Sequence, residues 1–87
     1  MSANSVLIVG KDADRAEALR AALVGLGYVV VAIATTSRFA LRAAVGYAPA
    51  AVFIDVAFRC ELDAVPLATA LRSRFPLRVV LYSDQTP

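Results

Sequence analysis

Three short apolar runs constrain this chain more than any other feature. Val6-Leu7-Ile8-Val9 ends in Gly10-Lys11-Asp12, Ala51-Val52-Phe53-Ile54 ends in the carboxylate of Asp55, and Val79-Val80-Leu81-Tyr82 ends in Ser83-Asp84. Runs of this length, set between helical stretches, are the pattern of parallel strands covered on both faces. In such sheets ligands and chemistry collect outside the carboxyl ends of the strands. All three runs deliver polar groups there, so the candidate functional residues lie at their C-terminal ends.

Between the runs the spacing is helical. Asp12 and Asp14 offer an N-cap or first-turn negative charge, and Ala16, Leu19, Leu23 and Leu26 recur on one face. Glu17 stands three positions before Arg20, a supporting pair, and Gly27 is placed to stop the helix. Residues 28–34 are apolar and rich in β-branched side chains, a second strand. Thr35-Thr36-Ser37 is a capping cluster for a helix over 39–47, with Ala40, Leu41, Ala44 and Val45 toward the sheet and Pro49 ending it. Strand 3 is 51–55, and a loop at 57–62 holds Phe58, Arg59 and Cys60. Asp63 can cap a helix from Ala64, with Pro66 tolerated in the first turn and Leu67, Leu71 and Phe75 as its buried stripe. Pro76 punctuates, 78–83 form strand 4, and 85–87 are loop. The expectation is one domain over 1–87 with β-α-β-α-β-α-β topology and right-handed crossovers.

Composition narrows the functional classes. The chain is 60% hydrophobic with mean hydropathy +0.69, more apolar surface than one small core absorbs, which points to a partner or further chain. Arg38, Arg42, Pro49 and Asp55 interrupt the apolar stretches short of the roughly 18–20 residues a membrane span requires. The N-terminus lacks the basic region of a signal peptide, so a cytoplasmic location away from the membrane is expected. One cysteine, Cys60, precludes an internal disulfide, and the absence of histidine excludes His-based metal sites and bases. Eight of the nine cations are Arg, and only Arg72, Arg74 and Arg78 cluster. Without interleaved aromatics, nucleic-acid binding is not expected.

The ordered set of strands and helices resembles the receiver domain of bacterial two-component response regulators, a flavodoxin-like fold. Val6-Leu7-Ile8-Val9, Leu26-Gly27-Tyr28, Ala40-Leu41 and Phe53-Ile54-Asp55-Val56 carry the resemblance, which covers the whole chain. It implies an α/β, three-layer fold whose parallel sheet has four strands in order 2-1-3-4, an incomplete form of the family's 2-1-3-4-5. In that family the Asp ending strand 3 accepts a phosphoryl group from a histidine kinase, here Asp55. Acidic residues after strand 1 hold Mg²⁺, a hydroxyl after strand 4 binds the phosphoryl group, and a Lys after strand 5 meets the developing charge. The requirement is positioning and charge neutralisation. This chain matches in part. Ser83 stands at the hydroxyl position, and the carbonyl of Ala57 is a candidate metal ligand. Gly10 and Lys11 replace the acidic pair, Asp12 lies one position beyond it, and strand 5 with its Lys is missing. Lys11 is expected within ion-pair reach of Asp55, its ammonium taking the place of the metal charge.

The leading expectation is therefore a degenerate receiver-like module, not an enzyme, without a cofactor, acting by protein–protein contact. The bare apolar edge at Val79, Val80, Leu81 and Tyr82 is expected to pair with a second copy as a homodimer. The alternative is a working receiver, phosphorylated on Asp55 by a histidine kinase, with Asp12, Asp55 and Ala57 on Mg²⁺ and an output protein downstream. A nucleotide-binding module is disfavoured: Gly10-Lys11-Asp12-Ala13 matches neither glycine-rich phosphate loop.

Overall fold

The computed structural model describes residues 4–83. The elements run β1 (Ser5–Val9), α1 (Ala13–Gly25), β2 (Val29–Ala34), α2 (Ser37–Tyr47), β3 (Ala51–Asp55), α3 (Ala64–Arg74) and β4 (Arg78–Tyr82). The strands form one parallel sheet in the order β2-β1-β3-β4, as the resemblance implied. Asp84 and the loop expected at 85–87 lie outside the described residues.

Alternation along the strands divides the core in two. Leu7, Val9, Val52 and Ile54 face Ala40, Ala43 and Ala44 of α2 and Leu67, Ala68 and Leu71 of α3. Val6 and Ile8 face the other way, toward Ala16 and Leu23 of α1. Two helices cover one side of the sheet and one covers the other. On the α1 side Ala51, Phe53 and Tyr82 are only partly buried, and Val80 is exposed.

The helix ends follow from local chemistry. Asp12 caps α1 by accepting the amide of Arg15, and Thr36 caps α2 by accepting that of Phe39. Gly27, at φ 95°, takes the left-handed conformation after α1 at little cost. Ala48 takes it after α2, at φ 47°. Asp63 stands at the N-cap of α3 but makes no side-chain cap bond; its Oδ1 accepts the amide of Cys60 instead.

Three expected core positions differ. Leu26 is the C-cap of α1 and is 75% exposed, since the helix has turned away from the sheet by that point. Val45 is 70% exposed, and Ala43 takes its place in the core. Phe75 ends α3 as its C-cap and is half-buried at the rim of the core. No described helix is long and apolar enough to cross a membrane.

Candidate functional site: a carboxylate closed by an arginine

Asp55 ends β3 at the centre of the sheet, between β1 and β4. Its residue is 2% exposed, so a charge there must be compensated by partners. Both oxygens have one. Oδ1 accepts the amide of Ala57 at 2.9 Å, and Oδ2 accepts from Nη1 of Arg15 at 2.7 Å. The same guanidinium reaches Asp12, with Nη2 3.6 Å from Oδ2. Arg15 thus bridges the carboxylate at the end of β3 and the one that caps α1.

The ion pair expected from Lys11 is made by Arg15. Lys11 is exposed, and its ammonium lies 6.0 Å from the centroid of the Phe58 ring, at the outer limit of a cation–π contact. The reason is directional. Lys11 precedes the helix and follows the loop outward, whereas Arg15 lies in the first turn of α1. Side chains on a helix lean toward its N-terminus, which here sends Arg15 back over the end of β1 and onto its neighbour β3. That signal was present in the sequence: an Arg three residues after a capping Asp.

Gly10 also has a structural partner. A Cβ built there would lie 2.9 Å from the hydroxyl oxygen of Tyr82 and 3.4 Å from Cβ of Asp55. The Tyr82 hydroxyl occupies the space an acidic side chain at position 10 would need. Its oxygen is buried and has no hydrogen-bond partner. Burial, then the charge of Asp55, pushes the phenol pKa up to about 12. Gly10 and Tyr82 are thus coupled, since a side chain at position 10 would require the Tyr82 hydroxyl to move.

Ser83 follows β4 at this same end and is exposed. Ala57 contributes its amide to Asp55. Cys60 in the neighbouring loop accepts the amide of Ser37 at 3.4 Å, and the Ser37 amide and hydroxyl draw its thiol pKa down, with a smaller contribution from Lys11. Among the described residues no cluster of three or more Asp, Glu, Cys or His is arranged to hold a metal ion.

Neither a protein-family model nor a curated protein matches the sequence. Solved structures do. The signal receiver domain of a modulated diguanylate cyclase from Desulfovibrio desulfuricans G20 is 28% identical, with TM-score 0.87 over 95% of this chain and 66% of that one. The signal receiver domain of the response regulator NarL from Mycobacterium tuberculosis is 27% identical, with TM-score 0.81 over 95% of this chain and 68% of that one. The N-terminal domain of a response regulator/sensory box/GGDEF protein from Carboxydothermus hydrogenoformans is also 27% identical, with TM-score 0.82 over 95% of this chain and 66% of that one. The chain spans about two thirds of the length of each. Strand order, helix placement and the carboxylate at the end of β3 agree with a response-regulator receiver domain.

Proposed function

We propose that this receiver domain works with its acceptor pocket closed: Arg15 takes the place of a divalent cation, Asp55 stays unphosphorylated, and the domain acts through protein contacts rather than as an enzyme. The observation that carries this reading is the 2.7 Å bond from Arg15 to a carboxylate whose side chain is 3% exposed. The donor set does not fit Mg²⁺. That ion takes near-octahedral oxygen ligands and usually at least one free carboxylate oxygen. Here Oδ2 of Asp55 is held by a fixed cation, and the Tyr82 hydroxyl fills the space beside Gly10. A second positive charge next to the guanidinium would be repelled.

Contact with a second copy is the mode of action we favour. β4 is an edge strand, with Val80 40% and Leu81 45% exposed, and the sheet beside it is thinly covered on the α1 side. Edges of this kind pair readily with other strands. A histidine kinase or an output protein is the other class of partner that a receiver fold suggests, and the cytoplasm is where such partners meet.

The test is incubation with acetyl phosphate and Mg²⁺, followed by intact-mass measurement. No phosphorylated chain is expected. A phosphorylated species in the unmodified protein, lost in Asp55→Asn, would refute the closed pocket. It would establish the working alternative, in which Asp12, Asp55 and Ala57 hold the metal and Ser83 meets the phosphoryl group.

A further inference from the structure

The end of the sheet opposite Asp55 carries a second feature, independent of the acceptor pocket. A shallow cleft of about 730 Å³ lies where β3 and β4 begin, floored by Ala51, Phe75 and Leu77 and flanked by Tyr28, Arg72 and Arg78. A smaller hollow of about 350 Å³, with Leu26 and Tyr28 in its wall, adjoins it. Tyr28 lines both, so the arginine-flanked cleft and the hollow walled by Asn4, Leu26 and Gly27 are neighbours.

The charges in this groove are not neutralised by any described residue. Among the described residues neither Arg72 nor Arg78 makes an ion pair, and no acidic residue lines either hollow. The sequence explains why. Every Asp and Glu of the chain falls at 12, 14, 17, 55, 61, 63 or 84, and none lies in 18–54 or 64–83. The described acids therefore gather toward the Asp55 end, at helix starts and strand ends, and leave the other end to arginine. A last-turn arginine such as Arg72 complements the negative C-terminus of α3. That accounts for Arg72 but not for Arg78, which opens β4. Nor does it account for the apolar exposure beside them: Leu26 is 75%, Val29 52% and Tyr28 40% exposed.

We propose that this groove docks a partner protein through an acidic, amphipathic peptide segment, with carboxylates on Arg72 and Arg78 and apolar side chains along Tyr28 and Leu26. Guanidinium forks suit carboxylates, and Tyr and Arg are the side chains that most often anchor protein interfaces. The shallow, open shape favours a peptide over a small ligand, which is ordinarily enclosed on most of its surface. Two arginines are too little charge for a nucleic-acid backbone, whose binding rests on many phosphate contacts.

The test is phage selection of random peptides on the whole chain, followed by anisotropy titration of the enriched sequences. Enriched peptides should carry two or more Asp or Glu near Leu, Phe or Trp. The double variant Arg72→Glu/Arg78→Glu should weaken them by about tenfold or more. Tyr28→Ala should weaken them too, while Arg42→Glu, an equal change elsewhere on the surface, should cost less than about twofold. Amide shift mapping on the unmodified protein does not depend on variants folding; Ala50, Ala51 and Leu77 should move and Asp55 should not. The proposal fails if no peptide is enriched, if enrichment lacks acidic residues, or if Arg42→Glu weakens binding as much as the double variant. It fails equally if the shifts fall elsewhere, or if a single-stranded oligonucleotide or an anionic vesicle binds these residues more tightly than any peptide.

Discussion

Arg15 spans two carboxylates with one delocalised charge, and its removal has a calculable consequence. Asp55 would keep its amide bond from Ala57 but lose the cation that compensates its burial. Arg15→Ala should lower stability by about 2 kcal/mol in urea denaturation at neutral pH, the scale of a lost hydrogen bond to a charged group. Arg15→Ala/Asp55→Asn should cost less than the sum of the two single changes, because the second removes the stranded charge. Additive losses would show that the pair is not coupled. Tyr82 gives a pH test. Its phenol pKa is raised to about 12 in the folded protein, against about 10 for a free tyrosine. The unfolded chain therefore loses this proton first as pH rises, so the contribution is intact below pH ~10 and disappears as pH climbs toward ~12. Tyr82→Phe should flatten the alkaline loss of stability and remove the latest component of the tyrosine ultraviolet titration. It should not destabilise the protein at neutral pH, since the hydroxyl it deletes is buried without a partner. At this scale the sequence was only half legible. The apolar runs located Asp55, but choosing between Lys11 and Arg15 required the direction in which α1 leaves the sheet. The filling of the Gly10 space by Tyr82 joins residues 72 positions apart and has no local signature.

The elements were more legible, because each is written in local chemistry. The Thr36 cap was readable as part of Thr35-Thr36-Ser37, and it makes its bond to the amide of Phe39 at 3.0 Å. Thr36→Ala should cost about 1 kcal/mol, as other such caps do. Asp63 reads as an equivalent cap yet turns away from α3 to bind the amide of Cys60. Asp63→Ala should therefore loosen the loop before α3 more than the helix itself. Amide exchange should rise at Cys60 and Leu62 while the middle of α3 stays protected; faster exchange throughout α3 would contradict this. The differences at Leu26 and Val45 have separate causes. Leu26 lies past the end of α1, at its C-cap, whereas Val45 sits beside the buried stripe of Ser37, Ala40, Ala43 and Ala44 and so faces away from the sheet. Ala43 was overlooked because a small residue adds little to the pattern, although α2 meets the sheet closely enough to bury it to 4% exposure.

At the scale of the whole molecule the uneven covering of the sheet is the dominant fact. α2 and α3 share one side, whereas α1 lies over β1 and β2 and leaves the β3–β4 half of the other side thinly covered. Among the described residues β4 is the outer edge, and its exposed Val80 and Leu81 are neither charged nor interrupted by proline, the usual guards of a free strand. Two copies related by a two-fold axis perpendicular to the sheet at the β4 edge would pair these edges antiparallel and set the two thinly covered surfaces side by side. Burial of that apolar area is worth about 25 cal/mol per Å², before the entropic cost of association is subtracted. Sedimentation at micromolar concentration should therefore show a dimer. Leu81→Lys should shift it to monomer, with far-ultraviolet circular dichroism retained if the edge serves association alone. Arg72→Glu, on α3 and outside β4, should leave the dimer intact, which separates the groove from the β4 edge. A folded monomer at high concentration, with β4 amides exchanging freely, would eliminate the edge as a self-association site.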